Sequence, residues 1–162
     1  MEHCLRWRSI AVGIFNSINI SGSALTAERL RMDVISSNMA NAETTRAEKV
    51  NGEWVPYKRK MVSFSSVGSN SFSSHLSSAV GAKANQSGGV KVSNITEDQT
   101  PFQMVYDPTN PDANADGYVA MPNVDPLKEM VDLMSATRSY EANVTVLNAN
   151  KSNIQTALQI GK

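Results

Sequence analysis

The sequence is poor in the residue types that usually build reactive sites. It has one cysteine, Cys4, so no disulfide can form within the chain. Its two histidines, His3 and His75, are too few and too scattered for a metal cluster or an acid–base pair. We find no phosphate-binding loop, no dinucleotide fingerprint and no nucleophile elbow. We therefore expect that the protein is not an enzyme and that it has no catalytic residue, no cofactor and no bound metal.

The chain also lacks an excess of charge and a long apolar run. It has 15 basic and 15 acidic residues, and its longest basic run is Lys58 to Lys60. Because nucleic-acid binding needs an excess of basic residues, this neutral composition predicts no nucleic-acid partner. The apolar stretch Ile10 to Phe15 is too short for a membrane span or a convincing secretory signal. We expect no direct membrane insertion and, if the protein is exported, no cleaved signal peptide.

The C-terminal part has the periodicity of a long helix from Pro126 to Ile160. Asp125 suits the N-cap, Pro126 the first helical position and Glu129 the first turn. Apolar positions then recur in alternating steps of three and four, which is a heptad seam sustained for four repeats. The seam comprises Met130, Leu133, Thr137, Tyr140, Val144, Leu147, Lys151, Ile154 and Leu158. Lys151 is a polar interruption of the kind that fixes register.

The N-terminal part shows a weaker pattern of the same kind, and we predict a helix from about Phe15 to Asn41. Ile18, Leu25, Met32 and Met39 repeat every seven residues, with Ile14, Ser21, Glu28 and Ile35 at the alternate position. Gly22 weakens the helix by roughly 1 kcal/mol relative to alanine. Asn38 and Asn41 have two interpretations, of which we favour helix-end capping over hydrogen bonding between subunits.

The middle of the chain has strand and loop character. Short strand patterns are predicted around Trp54–Tyr57, Met61–Phe64, Gly89–Ile95, Phe102–Tyr106 and Tyr118–Met121. Residues 63–89 are rich in Ser, Gly and Asn and predict a loop.

These patterns predict an α+β fold with two long terminal helices and a small, β-rich and loop-rich middle region. The predicted divisions are residues 1–12, 13–42, 43–122 and 123–162. The middle region is too small to cover both seams, so each seam must face the other helix, another copy of the chain, or both. The predicted assembly seam is Ile18, Leu25, Met32, Ile35, Met39, Met130, Leu133, Tyr140, Val144, Leu147, Ile154 and Leu158.

Four stretches of the sequence resemble the flagellar axial family, which comprises rod, hook and hook-associated proteins, and within it the proximal-rod members. The first is Ser23–Thr45 with its Ser-Asn-Met-Ala-Asn core, and the second is Gly89–Val92. The third comprises Val105–Pro108, Pro111–Ala113 and Asp116–Val119. The fourth comprises Met121–Pro126, Arg138–Asn143 and Ala157–Gly161. Together they span nearly everything from about residue 13 onward.

The resemblance implies a structural, self-assembling subunit of the bacterial flagellar basal body. Its terminal helices would pair as a coiled coil in an extracytoplasmic rod, in the periplasm or cell-wall zone. Its partners would be copies of itself, other rod and basal-body proteins, and the flagellar type III export apparatus. The resemblance also implies that Met1 to Ala11 are extra, and we expect translation to start at Val12. Intact mass of the native protein tests this, since a species that retains Cys4 would refute it.

Three alternatives remain. A sibling axial protein from another rod position would have the same class and mechanism. The segment Asp112 to Gly117 places oxygen ligands at positions one, three and five and glycine at six, as a calcium loop does. However, its twelfth position is Asn123 and a strand pattern follows it, so we favour a polar turn. An enzymatic role is disfavoured because the sequence has no motif for a catalytic nucleophile and no acid–base pair.

Overall fold

The computed structural model describes residues 2–67, 76, 79–80 and 88–160, with side chains from residue 16 onward in the first helix. Most of the loop predicted for residues 63–89, including His75, lies outside these residues. So do the side chains of His3 and Cys4. Among the described residues there are two long helices and six strands.

Helix α1 comprises Glu2–Ala40. It therefore begins well before Phe15, and the predicted start was wrong. No proline interrupts residues 2–14, so the backbone continues as a helix although the apolar repeat has not yet begun. The predicted end was correct within one residue. There the amide N–H of Asn41 donates to the carbonyl oxygens of Ser37 (3.1 Å) and Asn38 (3.2 Å).

Helix α2 comprises Pro126–Ile160, which are the predicted bounds. The carboxylate of Asp125 accepts from the amide N–H groups of Leu127 (3.0 Å) and Lys128 (3.4 Å). These are two of the N–H groups that have no partner within the first turn of a helix, so Asp125 acts as the N-cap.

The strands form three two-stranded sheets. They are β1 (Glu48–Val50), β2 (Glu53–Val55), β3 (Lys60–Ser66), β4 (Val90–Glu97), β5 (Gln103–Tyr106) and β6 (Tyr118–Met121). In order, β1 pairs with β2, β3 with β4, and β5 with β6. The strand β2 ends at Val55 instead of reaching Tyr57, since Pro56 has no N–H to donate.

The hairpin of β1 and β2 has an Asn-Gly turn, and β1 was not predicted. Asn51 and Gly52 have φ angles of 53° and 96°. Two consecutive positive φ angles are required by the type I′ turn that joins antiparallel strands tightly. The Asn-Gly dipeptide could therefore have predicted this hairpin. The strand β1 itself was missed because its charged residues show no alternation of apolar and polar positions.

The chain divides into two compact units, which are described separately. The first comprises Met1–Arg29, Phe64–Ser93 and Thr137–Lys162. Ser21 and Ala27 are buried there. Ser23 joins α1 to β4, because its Oγ accepts from the amide N–H of Val90 (3.1 Å).

The second unit comprises Leu30–Ser63 and Asn94–Ala136. Its buried apolar residues are Ile35, Tyr57, Val119, Val124 and Ala136, and its buried polar residues are Asn38 and Glu129. The core of this unit thus joins the end of α1 and the start of α2 to the strands.

Candidate assembly site

The inward face of α2 has the predicted period, but half of it is shifted by one residue. Its buried and half-buried residues are Glu129, Leu133, Ala136, Tyr140, Asn143, Leu147, Asn150 and Ile154. Leu133, Tyr140, Leu147 and Ile154 are members of the predicted seam. The alternate positions hold small or polar residues, which an apolar periodicity does not detect.

Four seam residues of α2 lie outside this inward face. Met130 and Leu158 are exposed in the single chain, and their contact with another copy of the chain stays a prediction. Thr137 and Lys151 are exposed as well, and Val144 is half-buried beside the face. In the sequence, each of these five residues follows directly after Glu129, Ala136, Asn143, Asn150 or Ala157.

The inward face of α1 includes every predicted seam residue whose side chain is described. Ile35 is buried, while Ile18, Leu25, Met32 and Met39 are half-buried. The imperfect position Ser21 is buried as well.

Two hydrogen bonds define the pairing of the helices. In the first unit, Nδ2 of Asn150 donates to Oγ of Ser17 (2.9 Å). In the second, Nδ2 of Asn38 donates to Oε2 of Glu129 (3.0 Å). Asn38 follows Ser17 by 21 residues and Glu129 precedes Asn150 by 21 residues, which is three heptads on each helix. Each bond thus joins α1 to α2 within its own unit.

A polar hub (Asn38, Tyr57, Arg59, Lys60 and Glu129) fills the centre of the second unit. Nδ2 of Asn38 donates to Glu129 and to the carbonyl oxygen of Lys60 (2.9 Å). Its Oδ1 accepts from the hydroxyl of Tyr57 (3.0 Å) and the amide N–H of Lys60 (3.0 Å). All the hydrogen-bonding capacity of the amide is used, as a buried polar group requires.

This geometry corrects the prediction for Asn38. The side chain neither caps the helix end nor is free to bond another subunit, because all four of its bonds lie within one chain. Asn41 is the capping residue, since its Nδ2 donates to the carbonyl oxygen of Ser37 (2.9 Å). A sequence cannot show which of two neighbouring asparagines turns inward.

The charge of Glu129 is balanced by Arg59 at the edge of the hub. Nε of Arg59 donates to Oε1 of Glu129 (2.6 Å), and the glutamate is 0% exposed. The guanidinium also lies 3.7 Å from Asp98 and 3.5 Å from Asp132. A buried carboxylate is stable only when it is paired and hydrogen-bonded, and Glu129 meets both conditions.

Asn123 fixes the chain beside the hub. Its Oδ1 accepts from the amide N–H of Arg59 (2.8 Å), and its Nδ2 donates to the carbonyl oxygens of Asp98 (3.3 Å) and Thr100 (3.1 Å). Asn123, the twelfth position of the candidate calcium loop, thus connects the residue before β3, the segment after β4 and the approach to α2.

Asp112, the first residue of the candidate calcium loop, is held by an ion pair. Arg46 donates to its Oδ1 through Nε (2.6 Å), and Oγ1 of Thr45 donates to its Oδ2 (2.8 Å). The bond from Arg46, followed by that from Thr45, holds the pKa of Asp112 below its usual value. Both carboxylate oxygens thus have protein partners, which favours the polar turn over a cation loop.

The described residues contain no group of three or more His, Cys, Asp or Glu side chains placed to hold a metal ion. None of the described helices is both long enough and apolar enough to cross a membrane.

Two long terminal helices, three small sheets and many exposed apolar side chains are typical of a subunit of a larger assembly. Two family models match the chain. Residues 18–47 match the model described as "Flagella basal body rod protein", and residues 115–160 match "Flagellar basal body rod FlgEFG protein C-terminal". The chain belongs to the family of flagellar basal-body rod proteins.

Curated relatives cover almost the whole chain. The chain is 66% identical over 148 residues to the flagellar basal-body rod protein FlgC of Bacillus subtilis, covering 91% of this chain and 98% of the relative. It is 44% identical over 151 residues to the FlgC protein of Escherichia coli O157:H7, covering 93% and 100%. The FlgC protein of Borreliella burgdorferi is 40% identical over 159 residues, covering 92% and 98%.

Proposed function

We propose that this chain is a structural subunit of the proximal rod of the bacterial flagellar basal body, with no catalytic activity. It assembles through its terminal helices into the shaft that links the membrane-embedded base to the hook. The observation that supports this most strongly is the match to FlgC relatives over nearly their full length.

The structure supports an assembly role through the helix pair. A hydrogen bond joins α1 to α2 within each unit, and the polar hub of the second unit joins both helices to β3. The predicted seam residues stabilise this pair and, where they are exposed, are available to neighbouring subunits. Met130 and Leu158 belong to the second group.

The partners of this function are copies of the chain, other rod and basal-body proteins, and the flagellar type III export apparatus. The location is the extracytoplasmic rod, reached without a cleaved signal peptide. A helix pair that packs against neighbouring subunits suits export as an unfolded chain. The entropy cost of ordering the helices is then offset when their apolar residues are buried during assembly.

The experiment is to delete the gene, complement it with an epitope-tagged copy, and purify hook–basal bodies. We expect the tagged chain to co-purify with the rod and motility to be restored. Immunogold labelling places it along the rod: labelling at the base supports the proximal position, whereas labelling near the hook supports a sibling axial protein. Absence of the tagged chain from basal bodies of motile cells would contradict the proposal.

A further inference from the structure

The tip of the hairpin formed by β1 and β2 carries the one Asn-Gly sequence of the chain, Asn51-Gly52. Every other asparagine is followed by a residue that has a side chain. Because glycine has no Cβ, nothing shields its backbone nitrogen from the side chain of the preceding asparagine. Both residues of the tip are exposed to solvent. The tip therefore combines an accessible side-chain amide, an unshielded peptide nitrogen and water.

The peptide nitrogen of Gly52 is also not held by a hydrogen bond. Among the residues that the structure describes, no backbone oxygen accepts from its N–H. The comparison is Asp116-Gly117, the one Asp-Gly sequence of the chain. There the amide N–H of Gly117 donates to the carbonyl oxygen of Asn114 (2.8 Å). The nitrogen of Gly117 is thus engaged in its turn, whereas the nitrogen of Gly52 is free to react.

The hairpin can open at this tip. Asn51 and Gly52 have φ angles of 53° and 96°, and they connect strands of three residues each. All residues of β1 and the first two of β2 are exposed. A two-stranded sheet of this size is marginally stable, so its tip opens by local unfolding. Opening lets the backbone of Asn51 rotate until its side-chain carbonyl carbon meets the nitrogen of Gly52.

We propose that Asn51 is a site of spontaneous deamidation. The backbone nitrogen of Gly52 forms a bond to Cγ of Asn51, and the bond from Cγ to Nδ2 breaks. Ammonia leaves with the proton from the amide of Gly52, and a cyclic imide remains. Water then adds to either carbonyl group of the imide, which opens the ring to isoaspartate or to aspartate. The reaction needs water and no oxidant, cofactor or enzyme, and the inference does not depend on the proposed function.

The two products affect the hairpin differently. Isoaspartate adds a methylene group to the backbone, whereas the pairing of Val50 with Glu53 requires a two-residue turn. We therefore expect isoaspartate to separate β1 from β2. Lys49 would then lose its position 5.8 Å from the ring centroid of Trp54. Aspartate keeps the backbone intact and adds one negative charge at the tip.

The test is peptide mass spectrometry of the purified full chain, aged at neutral and at mildly alkaline pH. Trypsin releases Val50–Lys58, in which Asn51 is the only side-chain amide. We expect this peptide to gain about 1 Da and to elute as separate isoaspartate and aspartate forms. The gain should be faster at the higher pH, because the attacking nitrogen must lose its proton. The tryptic peptide Val92–Lys128, whose asparagines all precede residues other than glycine, is the internal control and should keep its mass.

Two variants test the mechanism. Gly52→Ala should slow the gain roughly tenfold or more, because the added methyl group crowds the attacking nitrogen. Asn51→Gln keeps Gly52 and should show no gain, because a longer side chain closes a larger ring more slowly.

Four outcomes would overturn the proposal. The first is an unchanged peptide from the aged chain while synthetic Val50–Lys58 reacts, since the folded turn would then protect Asn51. The others are an equal gain in Val92–Lys128, an unchanged rate in Gly52→Ala, and a gain in Asn51→Gln. None of them bears on the proposed function, which is measured by incorporation into basal bodies.

Discussion

Asn38 and Glu129 are 91 residues apart in sequence and are joined by a hydrogen bond of 3.0 Å in the buried centre of the second unit. One lies near the end of α1 and the other in the first turn of α2. The bond therefore fixes which turns of the two helices meet. A polar contact of this kind specifies register more strictly than apolar side chains do, because a slip leaves both groups without partners.

The first prediction concerns Asn38→Ala. The change removes four hydrogen bonds, among them those to the buried Glu129 and Tyr57, so we expect a loss of about 3 kcal/mol in the free energy of unfolding. Urea unfolding of the purified chain measures it. Asn41→Ala is the control, since it removes partly exposed hydrogen bonds at the C-terminal end of α1 and should cost about 1 kcal/mol. Equal losses would contradict the central role of Asn38.

The second prediction concerns the ion pair of Glu129 and Arg59. Glu129→Ala leaves the guanidinium and the amide of Asn38 without their buried partner, and removing one member of a buried pair typically costs about 3–5 kcal/mol. Asp132→Asn is the control. Asp132 is 3.5 Å from the guanidinium and its side chain is 35% exposed, so less than about 1 kcal/mol is expected. A shift of the urea midpoint by Asp132→Asn as large as that by Glu129→Ala would refute the assignment.

The third prediction concerns pH. The bonds from Arg46 and Thr45 hold the pKa of Asp112 below its ordinary value. The pair therefore stabilises the folded chain at any pH above the ordinary aspartate pKa of about 3.9, and this stabilisation is lost as pH falls through the lower, folded-state pKa. NMR titration of the Asp112 carboxyl measures this directly. We expect Arg46→Gln to raise its midpoint, and an unchanged midpoint would show that the guanidinium is not the cause.

The fourth prediction contrasts two glycines. Gly117→Ala should destabilise the β5–β6 hairpin by about 1 kcal/mol or more, since φ is +80° and the new Cβ would meet the ring of Tyr106. Gly22→Ala should instead stabilise α1 by up to about 1 kcal/mol, because nothing lies within 4 Å of the added Cβ. Thermal melts of both variants measure the sign. A stabilising Gly117→Ala would be inconsistent with the turn described.

Local signals made parts of this fold predictable from the sequence. Asp125 and Pro126 located the start of α2, because capping and a missing N–H act within one helical turn. The strand β6 was predicted at its observed bounds, since its ends are marked by Gly117 and Pro122. Asn51 and Gly52 could have located the first hairpin in the same way.

The phase of α2 and the hub were not predictable in this way. The inward face alternates Leu133, Tyr140, Leu147 and Ile154 with Glu129, Ala136, Asn143 and Asn150. Polar side chains on this face lie inward because each has a specific hydrogen-bond partner, as Asn150 has in Ser17. Sequence periodicity records apolar character and not partners, so it did not mark these positions. Asn38 was misassigned for the same reason.

The central claim is that pairing of α1 with α2 is what places this chain in the rod. Leu147 lies on the inward face and is half-buried, whereas its neighbour Asn148 is exposed. The decisive measurement is the amount of chain in hook–basal bodies purified from cells expressing Leu147→Asp or, as a charge-matched control, Asn148→Asp. We predict that the Leu147→Asp chain is absent and its cells are non-motile, while Asn148→Asp behaves as wild type. Normal incorporation and motility with Leu147→Asp would contradict the account.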